Sequence, residues 1–538
     1  MSKTIQHGQV ARESVLRGID FLADAVKITE GPRGRNIILG QRGLGQSPKV
    51  TRDGVTVSNY ADPFDPTEQL GADLIREAAQ KTDNAVGDGT TASIVLAQAM
   101  IHAGFVLIDA GANPMAMERG IHKTTEAVIN RLKAMAQIVD INLNSDKVIQ
   151  VATVSAHGDV EIGKLVANAV AQAGKDGVVT AEPSSTSDTY VESVAGLELE
   201  KSNLISTAFI THPEDVKAEL HDCRILLWEG VIATAKSLVP LLKQVHEKNT
   251  PLIIIAGGYE QEALACLINN KVKLALPLIA VRMEAYGERR KEIMRDIAAL
   301  TGGKAFTEDM GVKIENVRLD ANDTGLARKV ITNMSKTQII EGRGEQKELA
   351  GRVELIRTAT ETATPAEKVV LRNRLAALLG GITIIKVGGV TVTEMEEKRD
   401  RVIDAMSAAK AAVESGIVPG GGTALLRASI LIDRVVNLSA SERDGLKVVV
   451  AACQAVAKQI AQNAGINGDQ VIDQLMAVPT LGFNAFTEQF EDLVETGIID
   501  PVKVVIESLK NASAVACSIL TMGATVSEKI TERPANVQ

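Results

Sequence analysis

A chain of 538 residues exceeds what one hydrophobic core holds, since single cores stop growing near ~250–300 residues, so two or more domains are expected. Its net charge of −9 argues against nucleic-acid and anionic-membrane partners, and an aromatic content of 2% leaves few platforms for stacking bases. Four cysteines without a C-x-x-C pair and seven histidines without ligand spacing argue against a disulfide framework and a His/Cys metal site. No charged-then-apolar leader and no apolar run of ~18 residues is visible, so a cytoplasmic chain is expected.

Val15, Ile19, Leu22 and Val26 share one helical face, which predicts a helix over 9–29. The turn Gly31-Pro32-Arg33-Gly34 cannot continue it. Residues 36–39 and 49–52, flanking the Gly-rich stretch Gly40 to Gly45, predict a hairpin. Helices are predicted over 67–81, 91–109 and 114–136, the last opened by Asn113-Pro114, a cap followed by proline in the first turn. Residues 177–195 and 204–211 look extended. A strand at Pro251 to Ala256, a helix over 259–270, a strand from Leu274 to Val281 and a helix over 288–301 then alternate, with another helix over 365–379. The chain returns to helix over 394–415 and stays mostly helical, apart from a strand near Thr525 to Ile530. The pattern is helical ends around an α/β insertion.

Gly87-Asp88-Gly89-Thr90-Thr91 carries the sharpest local chemistry. Glycines let backbone approach a ligand, and threonine hydroxyls with the N–H groups of the next helix can bind phosphate. An aspartate among phosphate donors needs a cation between them, and Mg2+ takes one or two carboxylates plus phosphate oxygens. From these five residues alone, an Asp-Gly turn capping a helix is an equal reading. Thr29-Glu30-Gly31-Pro32 and Gly420-Gly421-Gly422 are candidates for the same pocket. Asp404, between Ile403 and Ala405, could activate water for phosphoryl transfer. A solvated helix aspartate is the simpler local reading. The usual ATP signatures, G-x-x-x-x-G-K-[ST] among them, are absent.

Together, LADAVKITEGPRGRN, TRDGVTV, AVGDGTTASIVLAQAM, RVIDAM, AAVESGIVPGGGTALLR, FNAFTE and GIIDPVKV, in that order, resemble the group I chaperonins of the GroEL (Hsp60) type from about Val10 to Lys529. The resemblance implies an α+β multidomain subunit. Its equatorial domain would be 1–134 and 414–538, its intermediate domain 135–194 and 382–413, and its apical domain 195–381. It implies an ATP-driven protein-folding ATPase, or a ring-forming paralogue with little folding activity. It further implies a homo-oligomeric ring of seven subunits, unfolded protein clients, a co-chaperonin, and a cytoplasmic setting, the host's if phage-encoded.

The family's pocket carries over as Thr29, Gly31, Pro32, Arg52 (for a usual lysine), Gly87, Asp88, Gly89, Thr90, Thr91, Gly421, Asn484, Ala485 and Asp500 for ATP. Asp88 falls at its Mg2+ position, and Asp404 and Asp53 at its catalytic ones; K+ is a further cation of such sites. The family's client face falls on Leu204, Phe209, Val239, Leu242, Leu264 and Ile268, with departures where family tyrosines fall on Leu204 or Asn203 and on Ala208, and a valine on Asn269. Val106, Ala440 and Asn467 fall where the family's ring-to-ring contact carries charge, and Lys458 retains one, which implies a weak double ring.

Overall fold

The computed structural model describes residues 3–40, 48–139, 145–174, 178–184, 186–194, 196–200, 202–213, 216–319, 322–380 and 382–528. The hairpin tip beyond Gly40, Gly381 and the end of the predicted terminal strand lie outside them. Two compact units form. The first joins residues 1–171, 181–190 and 385–538, and the second joins 172–180 and 191–384. The three-domain division does not coincide with these two units and is taken up below as a proposal.

The first unit is built from both ends of the chain. Helices Gly8–Lys27, Pro66–Val86, Thr90–Asp109, Pro114–Met135, Arg443–Asn463 and Val502–Leu520 pack around one core of alanine, valine, isoleucine and leucine. Small residues let the helices approach closely. A Cβ on Gly18 would lie 1.8 Å from the Glu68 carbonyl oxygen, and one on Gly71 2.1 Å from that of Val15, so neither position admits a side chain without parting the helices. Caps mark the starts where the sequence predicts them: Asn113 Oδ1 accepts from Met115 N at 3.0 Å and Ala116 N at 3.2 Å. Ile37–Leu39 pairs antiparallel with Lys49–Thr51, giving the predicted hairpin. Lys3–His7 pairs antiparallel with Ala524–Glu528.

Thr90–Asp109 is the one helix among the described residues long and apolar enough to cross a membrane. A search for apolar runs passes over it because Thr90, Thr91, Gln98 and His102 interrupt it. Here it packs among Gly8–Lys27, Pro66–Val86, Arg443–Asn463 and Val502–Leu520.

The second unit is α/β. Strands Ala218–Ile232, Leu252–Tyr259 and Leu278–Met283 run parallel as neighbours, linked through helices Ala235–Lys248 and Gln261–Leu274. Gly325–Thr332, Lys336–Gly342 and Gly196–Glu200 extend one edge antiparallel, and Ser202–Leu204 closes the other. Leu252 to Ala256 are fully buried, as a central parallel strand covered on both faces requires.

Two expectations change here. Helix runs to Leu274 and the strand starts only at Leu278, because Ala275 turns left-handed (φ 52°) and Pro277 follows. Residues 204–211 are not extended throughout: Thr207–Phe209 is a 3₁₀ turn capped by the Ser206 hydroxyl, which accepts from Ala208 N at 3.3 Å.

Candidate functional site

A cavity of about 580 Å³ lies within the first unit, a volume suited to a small ligand. At one end, Gly87 (φ 67°) terminates Pro66–Val86 in the left-handed region. A Cβ there would lie 2.4 Å from Ser407 Oγ, so glycine lets the loop meet helix Val392–Ser415. Gly89 (φ 76°) then opens Thr90–Asp109 with no side-chain cap, leaving its first N–H groups available for an anion. Asp88 between them accepts from Gly89 N at 2.5 Å and from Ser155 Oγ at 3.0 Å.

Three further segments reach this end. Thr29 Oγ1 lies 3.4 Å from Thr91 Oγ1. Asp53 caps Gly54–Tyr60, accepting from Val55 N, Thr56 N and Thr56 Oγ1 at 3.1, 2.9 and 2.6 Å. Arg52 donates to the Gly34 carbonyl, holding the hairpin against the loop of Gly31 and Pro32. Asp404 lines the same cavity from helix Val392–Ser415. The solvated-aspartate reading fails for it. Burial, and then the carboxylates of Asp88, Asp53, Asp400 and Asp83, hold its carboxyl well above the usual range.

The other end is more apolar. Gly421 and Gly422 (φ 61° and 72°) begin a short helix, with Ile460, Phe483 and Ala485 nearby in the cavity wall. Asn484 holds its own loop, its Oδ1 accepting from Phe486 N at 2.9 Å and Thr487 N at 3.3 Å while its Nδ2 donates to Glu491 at 2.6 Å. Asp500 comes from strand Ile499–Pro501, paired with Ile417–Pro419. Except for Gly87, every residue the resemblance assigned to ATP, Mg2+ or catalysis lines this one cavity; Gly87 braces its wall.

Glu30, Ser155 and His157 also line it and carry no role in the sequence reading. Glu30 lies between Thr29 and Gly31 in the turn whose sequence already points to this pocket. Burial, with Asp500 and Asp88, pushes its carboxyl up to about 8. Burial, and then Asp88, raises Asp500 to about 7. Ser155 and His157 lie in a segment without a motif; burial, then Arg52 and Arg401, depress the His157 imidazole to about 4.

Six carboxyls line this one cavity, Glu30, Asp53, Asp83, Asp88, Asp404 and Asp500, and those that are ionised repel phosphate unless cations intervene. Among the described residues no three Asp, Glu, His or Cys side chains form a ready metal cage. That fits Mg2+ held by one carboxylate plus phosphate and water, and does not fit a dedicated protein-only site.

The raised carboxyls make stability fall as pH rises. Folded Glu30 and Asp500 hold protons that the unfolded chain releases near 4.5 and 3.8, so the stabilisation is complete below those values and is lost through about 7 to 8. Thermal melts without metal or nucleotide should show a lower Tm at pH 8 than at pH 6. A Tm that is flat or rises over this interval would contradict the arrangement.

The model of the TCP-1/cpn60 chaperonin family matches residues 22–529, and the chain belongs to that family. Its fold is the α+β multidomain, GroEL-like subunit that the sequence predicts. A similar solved structure is the chaperonin gp146 from the bacteriophage EL 2 (Pseudomonas aeruginosa), determined in the presence of ATP-BeFx. One crystal form has TM-score 0.70 and 22% identity over 98% of this chain and 99% of that one. A second form has TM-score 0.63 at the same identity and coverage.

The client face needs correction. Leu204, Phe209 and Leu242 are buried in the core of the second unit and present no exposed apolar surface. Leu204 sits on the edge strand, Phe209 in the 3₁₀ turn and Leu242 on the inner side of its helix, where sequence cannot tell an apolar docking residue from an apolar core residue. Val239 is 56% exposed, and Leu264 and Ile268 are half-buried. Val272, 66% exposed and not anticipated, continues their i, i+4, i+8 line on Gln261–Leu274.

Proposed function

We propose that this chain is an ATP-driven chaperonin that captures unfolded proteins in a ring of identical subunits and promotes their folding. The observation that carries it is the meeting of Asp53, Asp88 and Asp404 with the uncapped helix start at Gly89 in one cavity. Asp88 would hold Mg2+, which would neutralise the phosphates. The N–H groups of Thr90 and Thr91 would orient those phosphates. Asp404 would orient water and take its proton, with Asp53 beside it. Gly421, Asn484, Ala485 and Asp500 would flank the nucleoside, and K+ would be a second cation. The ATP-BeFx reported with the gp146 structures is in keeping with this reading.

We distinguish an equatorial part (1–134, 414–538) within the first unit, an intermediate one (135–194, 382–413) drawn mostly from it, and an apical one (195–381) within the second. Val239, Leu264, Ile268 and Val272 form the proposed client face, and any co-chaperonin would compete for it. The burial of Leu204, Phe209 and Leu242 favours a second reading, a ring-forming paralogue with few clients. The setting in either case is the cytoplasm, the host's for a phage-encoded chain.

Stacking of rings is expected to be weak. Val106 is exposed, and Lys458 pairs with Asp469 of its own chain at 2.5 Å. Exposed pairs contribute only ~0–1 kcal/mol each. Electron microscopy with ATP, with ADP and without nucleotide should show seven-membered rings, with single rings in at least one state. Refolding of several unrelated denatured proteins should depend on ATP. A monomer in all three states would refute the chaperonin reading; rings that refold nothing would select the paralogue.

A further inference from the structure

The protein has thirteen aromatic side chains in 538 residues, and one of them, Phe486, stands 71% exposed in the wall of the cavity. We propose that Phe486 is the nucleobase wall of this site, its ring lying against the base of the bound nucleotide. The proposal deepens the nucleotide reading above and rests on it.

The backbone beneath the ring is fixed. Asn484 Oδ1 accepts from Phe486 N at 2.9 Å, and the Asn484 carbonyl accepts from Glu488 N at 2.7 Å. From the loop that follows Gly31 and Pro32, Arg33 donates to the Phe486 carbonyl at 3.1 Å and pairs with Glu488 at 3.4 Å. Both loops line the cavity, so Phe486 is anchored at its mouth while its side chain stays in water.

The cavity's two ends differ in the way a nucleotide's ends differ. The uncapped helix start beside Asp88 suits phosphates. The Gly421, Ile460, Phe483 and Ala485 end, which Phe486 adjoins in the chain, suits a flat, weakly polar base. Phe483 also lines the cavity, but it is 5% exposed and packed on Phe490 with ring centroids 5.3 Å apart, so it offers a base little surface. Phe486 is the aromatic ring left for a base to cover. Stacking of this kind tolerates different bases, so guanine and adenine nucleotides should both gain from it.

Because Phe486 is exposed, substitution leaves the core untouched. Titration calorimetry of the full chain with Mg2+ and ATP, ADP or inorganic tripolyphosphate separates base from phosphate. Phe486→Ala should weaken ATP and ADP alike by about tenfold, within the range for a base on an aromatic face, and leave tripolyphosphate binding at the wild-type value. Phe486→Trp should change its emission on adding ADP and not on adding tripolyphosphate, against wild type, whose one tryptophan is Trp228.

Wild-type ADP affinity in Phe486→Ala would overturn the proposal. So would equal losses for ADP and tripolyphosphate, or a loss of ring assembly with ADP affinity unchanged, which would make Phe486 a subunit contact. If the wild type binds neither ATP nor ADP, the nucleotide reading itself falls and the proposal with it, an outcome read from the wild-type titration alone.

Discussion

Replacing Asp404 with alanine should slow ATP hydrolysis by ~10²- to 10⁴-fold, the usual loss with a general base, while MgATP still binds. Burial, and then the carboxylates of Asp88 and Asp53, hold its carboxyl well above the usual range. A cation at Asp88 would offset much of that repulsion, so the group would become a competent base only with metal and nucleotide in place. Removing Asp404 also removes one charge from a crowded anionic cavity, so nucleotide affinity should hold or tighten. Single-turnover hydrolysis alongside equilibrium binding separates the two effects. Wild-type turnover in the variant would end the assignment.

Asp88→Ala should act on binding itself. Loss of one charge-assisted contact of ~1.5–3 kcal/mol corresponds to a drop of about 10- to 100-fold in MgATP affinity. The dependence of affinity on Mg2+ should shrink with it. Asp88 also accepts from Gly89 N and Ser155 Oγ, so alanine loosens the loop. Asp88→Asn keeps an acceptor for Gly89 N and offers an amide donor, in place of the second acceptor, to the Ser155 hydroxyl, so it removes the charge with less disturbance of the loop. Calorimetry with and without Mg2+ on both variants decides the matter: unchanged magnesium dependence in Asp88→Asn would show that the metal is held elsewhere.

Much of the pocket was legible because its residues sit in loops whose chemistry is local. Gly87 and Gly89 adopt the left-handed backbone that glycine permits, and the sequence shows two glycines bracketing an aspartate before a helix. Asp404 was not legible from its own helix, where it looks like any solvated carboxylate. Only its approach to Asp88 and Asp53, 316 and 351 positions away in the chain, distinguishes it, and that proximity belongs to the tertiary fold. The client face shows the opposite limit. Phe209 and Leu242 have the residue types of a docking surface, but type cannot say which side of a helix or turn faces the core. The Leu274 boundary was missed for a related reason: an apolar run spanned a helix end, a left-handed residue and a strand start, and apolar content alone does not separate them.

The pairing of Lys3–His7 with Ala524–Glu528 bears on how the chain is made. The helices up to Met135 emerge from the ribosome early, but their partners Arg443–Asn463 and Val502–Leu520 come last. At ~5–20 residues per second, roughly 20 to 80 s pass between residue 135 and the closing strand. Through that interval the apolar flanks of Thr90–Asp109 have no C-terminal helices to cover them, and contacts across such separations form slowly. A nascent subunit of this family is therefore a long-lived, sticky intermediate, the same kind of chain that a finished ring would receive as a client.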